Sequence, residues 1–259
     1  MRIVTLLTDF GLHDGFVGCL HGVILERCPT ARIVDLCHEI RPFDILGASF
    51  LLQSVRPCFA PGTIHVVVVD PGVGGPRRPI LAEIDGDLFV APDNGVLSYV
   101  FSSADRLAVR HIVAQECSRL PVSRSFHGRD IFAPVAGNLA TGIPPDRFGP
   151  LIADPLRLDL PKVRRQGCTV HGEVVWVDRF GNCVTNISAA DVDAVVGRIA
   201  SRGDLRIPVV DHFGSVGPGR SGALIGSTGH LELFVNQGDF ARIQQARVGD
   251  AVVVERTAP

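Results

Sequence analysis

Three short apolar runs set the frame of this chain: residues 3–7 (Ile-Val-Thr-Leu-Leu), Ile33 to Leu36, and Ile64 to Val69. The first and third stop abruptly at polar, Gly or Pro residues, in Thr8-Asp9-Phe10-Gly11 and Asp70-Pro71-Gly72. A strand that is apolar throughout is buried on both faces, the signature of a parallel sheet covered by helices. Between the runs, Phe16, Leu20, Val23 and Ile24 fall on one helix face that stops at Cys28-Pro29, and Phe43 to Val55 reads as a second helix. Strand, helix, strand, helix, strand predicts right-handed βαβ units around a mostly parallel sheet.

Two shorter strands are expected near Ile80 to Ile84 and Leu88 to Val90, then a turn at Ala91 to Gly95 and a helix from about Asp130 to Ala140. Residues 142–165 are rich in Pro, Gly and charge and lack periodicity, which places a domain boundary inside them. Beyond Gln166 come short β-branched runs at Gly172 to Val177, Val184 to Ile187, Leu205 to Val210, Ala223 to Gly226, Leu231 to Val235 and Ala251 to Glu255. Strands this short and frequent suggest a small barrel or sandwich. The expected organisation is an α/β domain over residues 1–160 and a smaller β-barrel-like domain over 166–259.

Composition excludes several classes. Lys and Arg number 25 against 27 Asp and Glu, for a net charge of −2, and no block of like charge occurs. That gives neither the footprint of a nucleic-acid binder nor a basic membrane face. The longest apolar runs fall far short of the roughly 18 residues that span a bilayer, and Asp9 and Asp14 interrupt any signal-like segment after Arg2, so a soluble, cytoplasmic protein is expected. The only lysine, Lys162, lies in the polar stretch Pro161 to Arg165, which removes Schiff-base, pyridoxal-phosphate and P-loop chemistry, each of which needs a placed amine. The seven cysteines (Cys19, Cys28, Cys37, Cys58, Cys117, Cys168, Cys183) include no C-x-x-C pair and read as reduced thiols, mostly buried. H-E-x-x-H and G-x-S-x-G are absent, so neither a metal nor an α/β-hydrolase site is expected.

In an open parallel sheet, ligands bind beyond the carboxyl ends of the strands, where Asp9 and Asp70 stand. Each residue alone reads equally well as a loop-capping carboxylate; the two together favour a site. Asp70-Pro71-Gly72-Val73-Gly74-Gly75-Pro76-Arg77-Arg78 is no dinucleotide loop, because Arg77 occupies the third glycine position of G-x-G-x-x-G and Pro76 and Pro79 oppose a helix there. It suggests instead an Asp70–Arg77 ion pair across a tight loop, structural on its own. His127, in Phe126-His127-Gly128-Arg129-Asp130, precedes an apolar helix whose dipole holds the imidazole neutral. Asp178-Arg179-Phe180-Gly181-Asn182 reads as a hairpin turn or as a ligand loop, with a carboxylate for an amine and an amide for an adenine edge.

Together these segments, with Thr185-Asn186, resemble one family: the S-adenosylmethionine hydroxide adenosyltransferases, relatives of the fluorinase and chlorinase enzymes. The resemblance implies an α/β domain, a β-barrel-like domain, and a homotrimer with substrate at the subunit interface. It implies attack of water or hydroxide on the ribose C5′ of S-adenosylmethionine, releasing adenosine and L-methionine, without a cofactor. The family's catalytic triad maps onto Asp70, Arg77 and His127, with Arg78 an alternative occupant of the Arg role. For substrate binding it implies Asp9 on the ribose hydroxyls, Asp178 on the methionine ammonium, Asn182 on adenine, Ser227 near the methionine carboxylate, and Phe43 where the halogenases have Trp. Halogenases carry Tyr where Asp70 stands, and the fluorinase's inserted loop is not found here. At Thr228 the fluorinase has Arg, so a contact to the substrate carboxylate is missing. The alternatives are an S-adenosylmethionine- or adenosine-binding protein without useful turnover and a halide-dependent 5′-halo-adenosine synthase; Asp70 weighs against the second, because a carboxylate repels a halide.

Overall fold

Strict alternation of burial partners places both faces of the first strands in core. In the computed structural model, which describes residues 2–113, 121–193 and 198–256, Val4 and Leu6 of β1 (Ile3–Thr8) join Val66 and Val68 of β3 (Ile64–Val68) in one cluster. Thr5 and His65, one position along, meet on the opposite face, where the Thr5 hydroxyl lies 2.7 Å from His65 Nδ1. The chain divides into two compact units, Met1–Asp159 and Leu160–Pro259.

In the first unit, β1, α1 (Phe16–Arg27), β2 (Arg32–Cys37), α2 (Ile45–Val55) and β3 are followed by β4 (Pro79–Ile84), β5 (Asp87–Pro92), α3 (Ser98–Ser102), β6 (Leu107–His111), α4 (Ala133–Ala140) and β7 (Leu151–Ile152). The sheet order is β2-β1-β3-β5-β4-β6-β7; β2, β1, β3 and β5 are parallel, and β4, β6 and β7 extend the sheet antiparallel. The chain leaves β1 for β2 on one side and returns to β3 on the other. The strand order therefore reverses between β1 and β3, which opens a crevice at their carboxyl ends. Leu20, Val23 and Ile24 of α1 and Val135, Ala136 and Leu139 of α4 cover one face of the sheet. Gly137 permits this approach, because a Cβ there would lie 2.7 Å from the Arg27 Cβ.

Three local expectations are corrected. Helix α2 begins at Ile45 rather than Phe43: Asp44 caps it by accepting the Gly47 N–H at 2.8 Å, and Phe43 stands outside with φ of 70°. The helix expected from Asp130 opens as a wider π turn over Gly128–Phe132 before α4, since Pro134 has no N–H to give the Asp130 carbonyl. Of the described cysteines, all free, Cys28 and Cys183 are buried while Cys19, Cys58 and Cys168 are exposed; Cys117 lies outside the described residues. Burial pushes the Cys183 thiol up to about 12, which makes it inert.

In the second unit, β8 (Arg164–Gln166), β9 (Thr169–Val177), β10 (Cys183–Ser188), α5 (Ala189–Asp193), β11 (Arg198–Arg202), β12 (Leu205–Pro208), β13 (Ser221–Ile225), β14 (His230–Val235), α6 (Phe240–Ile243) and β15 (Ala251–Arg256) form one antiparallel sheet. Its order is β12-β11-β15-β9-β10-β14-β13, with β8 on β9. A parallel bridge between Val209 and Ala223 brings the two ends together, so the sheet nearly closes into a barrel around Val174, Cys183, Leu231, Leu233, Phe240 and Val252. No described helix is long and apolar enough to cross a membrane.

His65 carries a pH dependence. It is fully buried and stacked on Phe89 at 4.8 Å, and burial pushes its imidazole down to about 4, with Asp87 opposing and Arg56 reinforcing the shift. An unfolded chain binds the proton from about pH 6.5 downward and the folded one only near pH 4, so acid favours unfolding across that window. Between pH 7 and pH 4.5 the stability gap between wild type and His65→Leu should move by about 2.4 kcal/mol against the wild type. Denaturant titrations of both proteins at pH 7 and pH 4.5 read this directly, and a gap that stays constant would refute it.

Candidate active site

The carboxyl ends of β1 and β3 deliver two carboxylates to the crevice of the first unit. Asp9, Asp70 and His127 line one cavity of about 280 Å³ together with Phe10, Phe16 and Phe126. Asp70 follows β3, and its neighbour is anchored from the side: the Asn94 amide donates to the Val69 carbonyl at 2.8 Å. Arg77 Nε donates to both carboxylate oxygens of Asp70, at 2.9 and 3.0 Å, and its Nη2 also meets Oδ2. The pair is nearly closed to solvent, with side-chain exposures of 9% for Arg77 and 5% for Asp70, so these bonds are unscreened and fix the carboxylate in place.

Arg77 extends the chain of contacts to His127, where Nη2 lies 2.6 Å from Nδ1. A guanidinium only donates, so Nδ1 accepts and the ring is neutral with its proton on Nε2. Burial, and then the positive charge of Arg77, lowers the imidazole from its ordinary value. Neutrality therefore comes from desolvation and from Arg77, where the sequence pointed to the helix dipole. Two loops must interlock for this contact. Gly74, with φ of 75°, lets them, since a Cβ there would stand 2.1 Å from the Arg124 carbonyl oxygen. The loop bearing His127 is tied in turn by buried Asp130, which accepts the Ser123 N–H at 2.9 Å and pairs with Arg129.

Arg78 does not reach this group. It pairs with Asp93 at 2.6 Å and Asp154 at 2.9 Å, tying down the turn at residues 91–95. Asp9 accepts the Phe43 N–H at 2.9 Å through Oδ2 and helps hold that residue in its left-handed conformation, with Phe43 as a whole 69% exposed and lining the cavity. Sequence reasoning missed the aromatic wall. Phe16 satisfies the helical period of the core face, yet its ring packs edge-to-face on Phe126 at 5.2 Å and lines the cavity.

In the second unit, Asp178, Asn182 and Ser227 line a pocket of about 870 Å³. Residues 178–182 join β9 to β10 as a tight turn. Asp178 Oδ1 accepts the N–H groups of Phe180 and Asn182, each at 2.8 Å, and Oδ2 accepts the Asn182 amide at 3.0 Å. A carboxylate offers about four acceptor positions, so roughly one is left for a ligand. Gly181, with φ of 83°, is required here, because a Cβ would meet Asp239. Glu232, which the sequence reading missed, lines the same pocket half-buried, and burial and then Asp178 push its carboxyl up.

Two family descriptions match the chain: "SAM hydroxide adenosyltransferase N-terminal domain" over residues 4–149 and the corresponding "C-terminal domain" over 172–253. The chain belongs to the SAM hydroxide adenosyltransferase family. Within it, the chain is 37% identical to a Thermus thermophilus protein named (R)-S-adenosyl-L-methionine hydrolase, over 92% of this chain and 93% of that one. A protein of the same name from Salinispora tropica is 36% identical, with 97% of each chain covered. The fluorinase of Nocardia brasiliensis is more distant, at 26% identity over 98% of this chain and 96% of its own; that alignment runs over 290 positions against the 259 residues here, so the fluorinase carries residues this family member lacks. The fold matches the crystal structure of an uncharacterised conserved protein from Thermotoga maritima with a TM-score of 0.93 and 36% identity, covering 98% of this chain and all of that one.

Proposed function

We propose that this protein hydrolyses S-adenosyl-L-methionine to adenosine and L-methionine. The observation that carries the reading is the Asp70–Arg77–His127 chain of contacts, set in a crevice at the strand-order reversal beside Asp9. Water forms a bond to the ribose C5′ as the C5′–sulfur bond breaks. The bonding pair leaves with sulfur, the sulfonium becomes the neutral thioether of methionine, and one water proton is lost. The sulfonium is already an activated leaving group, so departure needs neither acid nor cofactor. What remains is to hold one water in line with the C5′–sulfur bond, and correct placement alone supplies roughly 7–11 kcal/mol of such a barrier. Asp70, pinned from behind by Arg77, is the acceptor for that water. Neutral His127 completes the orientation, and Asp9 receives the ribose hydroxyls. Asp178, Asn182, Ser227 and Phe43 contribute the remaining substrate contacts. The working form is a homotrimer with substrate at the subunit interface, and its place is the cytoplasm, a reading supported by the six cysteines among the described residues, all free.

Incubation of the protein with S-adenosyl-L-methionine in 18O-labelled water should yield adenosine labelled at the 5′ oxygen and unlabelled methionine, resolved by chromatography and mass spectrometry. The relatives' name carries an (R) beside the L of methionine, which leaves sulfur as the centre described. The (R)-sulfonium epimer should therefore be consumed and the (S) epimer spared. Added chloride should give no 5′-halo-adenosine. Binding detected by calorimetry with no adenosine formed over hours would overturn the reading in favour of a binding protein.

A further inference from the structure

Asp9 is held more tightly than a loop carboxylate needs to be, and the hold runs through a residue 29 positions away. The Thr8 hydroxyl lies 2.8 Å from His38 Nδ1, with Thr8 fully buried and His38 4% exposed. On the far side of the same ring, His38 Nε2 stands 3.0 Å from Asp35 Oδ1, an ion contact by distance whose angles are not those of a hydrogen bond, and His21 Nε2 meets that oxygen at 2.8 Å. A lone pair on Nε2 would face the carboxylate at 3.0 Å, so the nearby charge favours the tautomer with its proton on Nε2, in which Nδ1 accepts from the Thr8 hydroxyl. Thr8 Oγ1 accepts in turn from the Phe10 N–H at 3.2 Å. The two residues that flank Asp9 are thus both bound to one hydroxyl, whose direction is set by His38.

The backbone repeats the connection. The Gly11 N–H donates to the His38 carbonyl at 2.7 Å, and the Phe43 N–H donates to Asp9 Oδ2 at 2.9 Å. The register between β1 and β2 slips between Leu6 and Leu7, so that Leu6 pairs with Asp35 and Leu7 with Cys37. Irregularities of this kind re-aim side chains beside active sites. Burial alone would raise the Asp35 carboxyl, but His38 and then His21 leave it lowered, so it stands ionised opposite the ring. The relay of Asp35, His38 and Thr8 therefore runs from the half-exposed edge of β2 to the end of β1 and stops one residue short of Asp9.

We propose that His38, seated between Asp35 and Thr8, is the positioning residue that sets the Asp9 carboxylate for a ribose diol. The inference rests on the reading above that Asp9 receives the ribose hydroxyls. Thr8 and His38 touch no substrate; they act through the placement of Asp9.

The test compares binding of adenosine and 2′,3′-dideoxyadenosine by calorimetry, because only the first carries the hydroxyls that Asp9 would accept. Wild-type protein should prefer adenosine. Thr8→Val removes the hydroxyl with little change of shape and should erode that preference roughly tenfold, the ordinary cost of leaving one buried polar group unpaired. Thr8→Ser should restore it, and His38→Leu should erode it as Thr8→Val does. In turnover, both weakened variants should raise KM more than they lower kcat. A merely structural role would lower the melting temperature while leaving the ratio of the two affinities as in wild type, and that result would overturn the proposal. Loss of the preference in Thr8→Ser would overturn it as well, and if Thr8→Val fails to fold, His38→Leu and Thr8→Ser decide. No preference in the wild type would instead remove the role of Asp9, and the inference with it.

Discussion

Asp70→Asn is expected to lower kcat by roughly two to four orders of magnitude while adenosine affinity stays within a few-fold of wild type. The substitution keeps the volume of the side chain and one acceptor oxygen. It replaces the other oxygen with an amide that points its own hydrogens at Arg77 Nε, where two acceptors now stand at 2.9 and 3.0 Å. The water would face a neutral, mis-turned group in place of a pinned carboxylate. Single-turnover measurements at saturating S-adenosyl-L-methionine isolate the chemical step, and a thermal melt shows that the fold has survived. Turnover equal to wild type would remove Asp70 from the mechanism.

Removing the other half of the pair should damage the protein itself. Arg77→Met leaves the Asp70 carboxylate, 5% exposed, without its cation, and takes the donor from His127 Nδ1. Breaking a buried pair on one side costs about 3–5 kcal/mol, because the remaining charge is stranded away from water. Denaturant unfolding should show a loss of that size. The double variant Asp70→Asn with Arg77→Met should be more stable than Arg77→Met alone, since the stranded charge is gone. Equal stability of the two would mean that the pair is not held as tightly as its geometry says. Arg77→Lys should rescue stability better than activity: an ammonium supplies charge but not the fork that spans both oxygens of Asp70 and still reaches His127.

What could be read in the linear sequence was whatever local periodicity carries. The runs ending at Asp9 and Asp70 are apolar because both faces of β1 and β3 are covered, but the strand-order reversal that makes their ends a crevice is not dictated by the βαβ pattern, which serves the orders β1-β2-β3 and β2-β1-β3 alike. Strands β7 and β8, with two and three residues, are too short to show a period, and β11, Arg-Ile-Ala-Ser-Arg, is bounded by charge; none was legible. Phe16 and Phe43 illustrate a different limit. Phe16 obeys the period of the core face and still turns toward the cavity, because its ring finds Phe126. Phe43 reads as the start of a helix, yet it sits at the second central position of a turn closed by the Asp44 N–H on the Arg41 carbonyl at 3.0 Å, and its own N–H is bound by Asp9, 34 residues away, so it takes a left-handed backbone that is rare for phenylalanine. Of the partners of His38, Asp35 lies three residues away in the chain, but Thr8 is identified only once β1 and β2 are laid side by side.

The left-handed backbone at Phe43 has a consequence for anyone who would improve this protein. A bulky residue with φ of 70° stores about 1–2 kcal/mol that Gly would release and Asn would reduce. Selection on thermal tolerance alone would therefore pull position 43 toward Gly or Asn and strip the aromatic ring from the mouth of the cavity. A stabilisation campaign scored only on melting temperature would register that change as a gain, so position 43 belongs among those held constant from the first round.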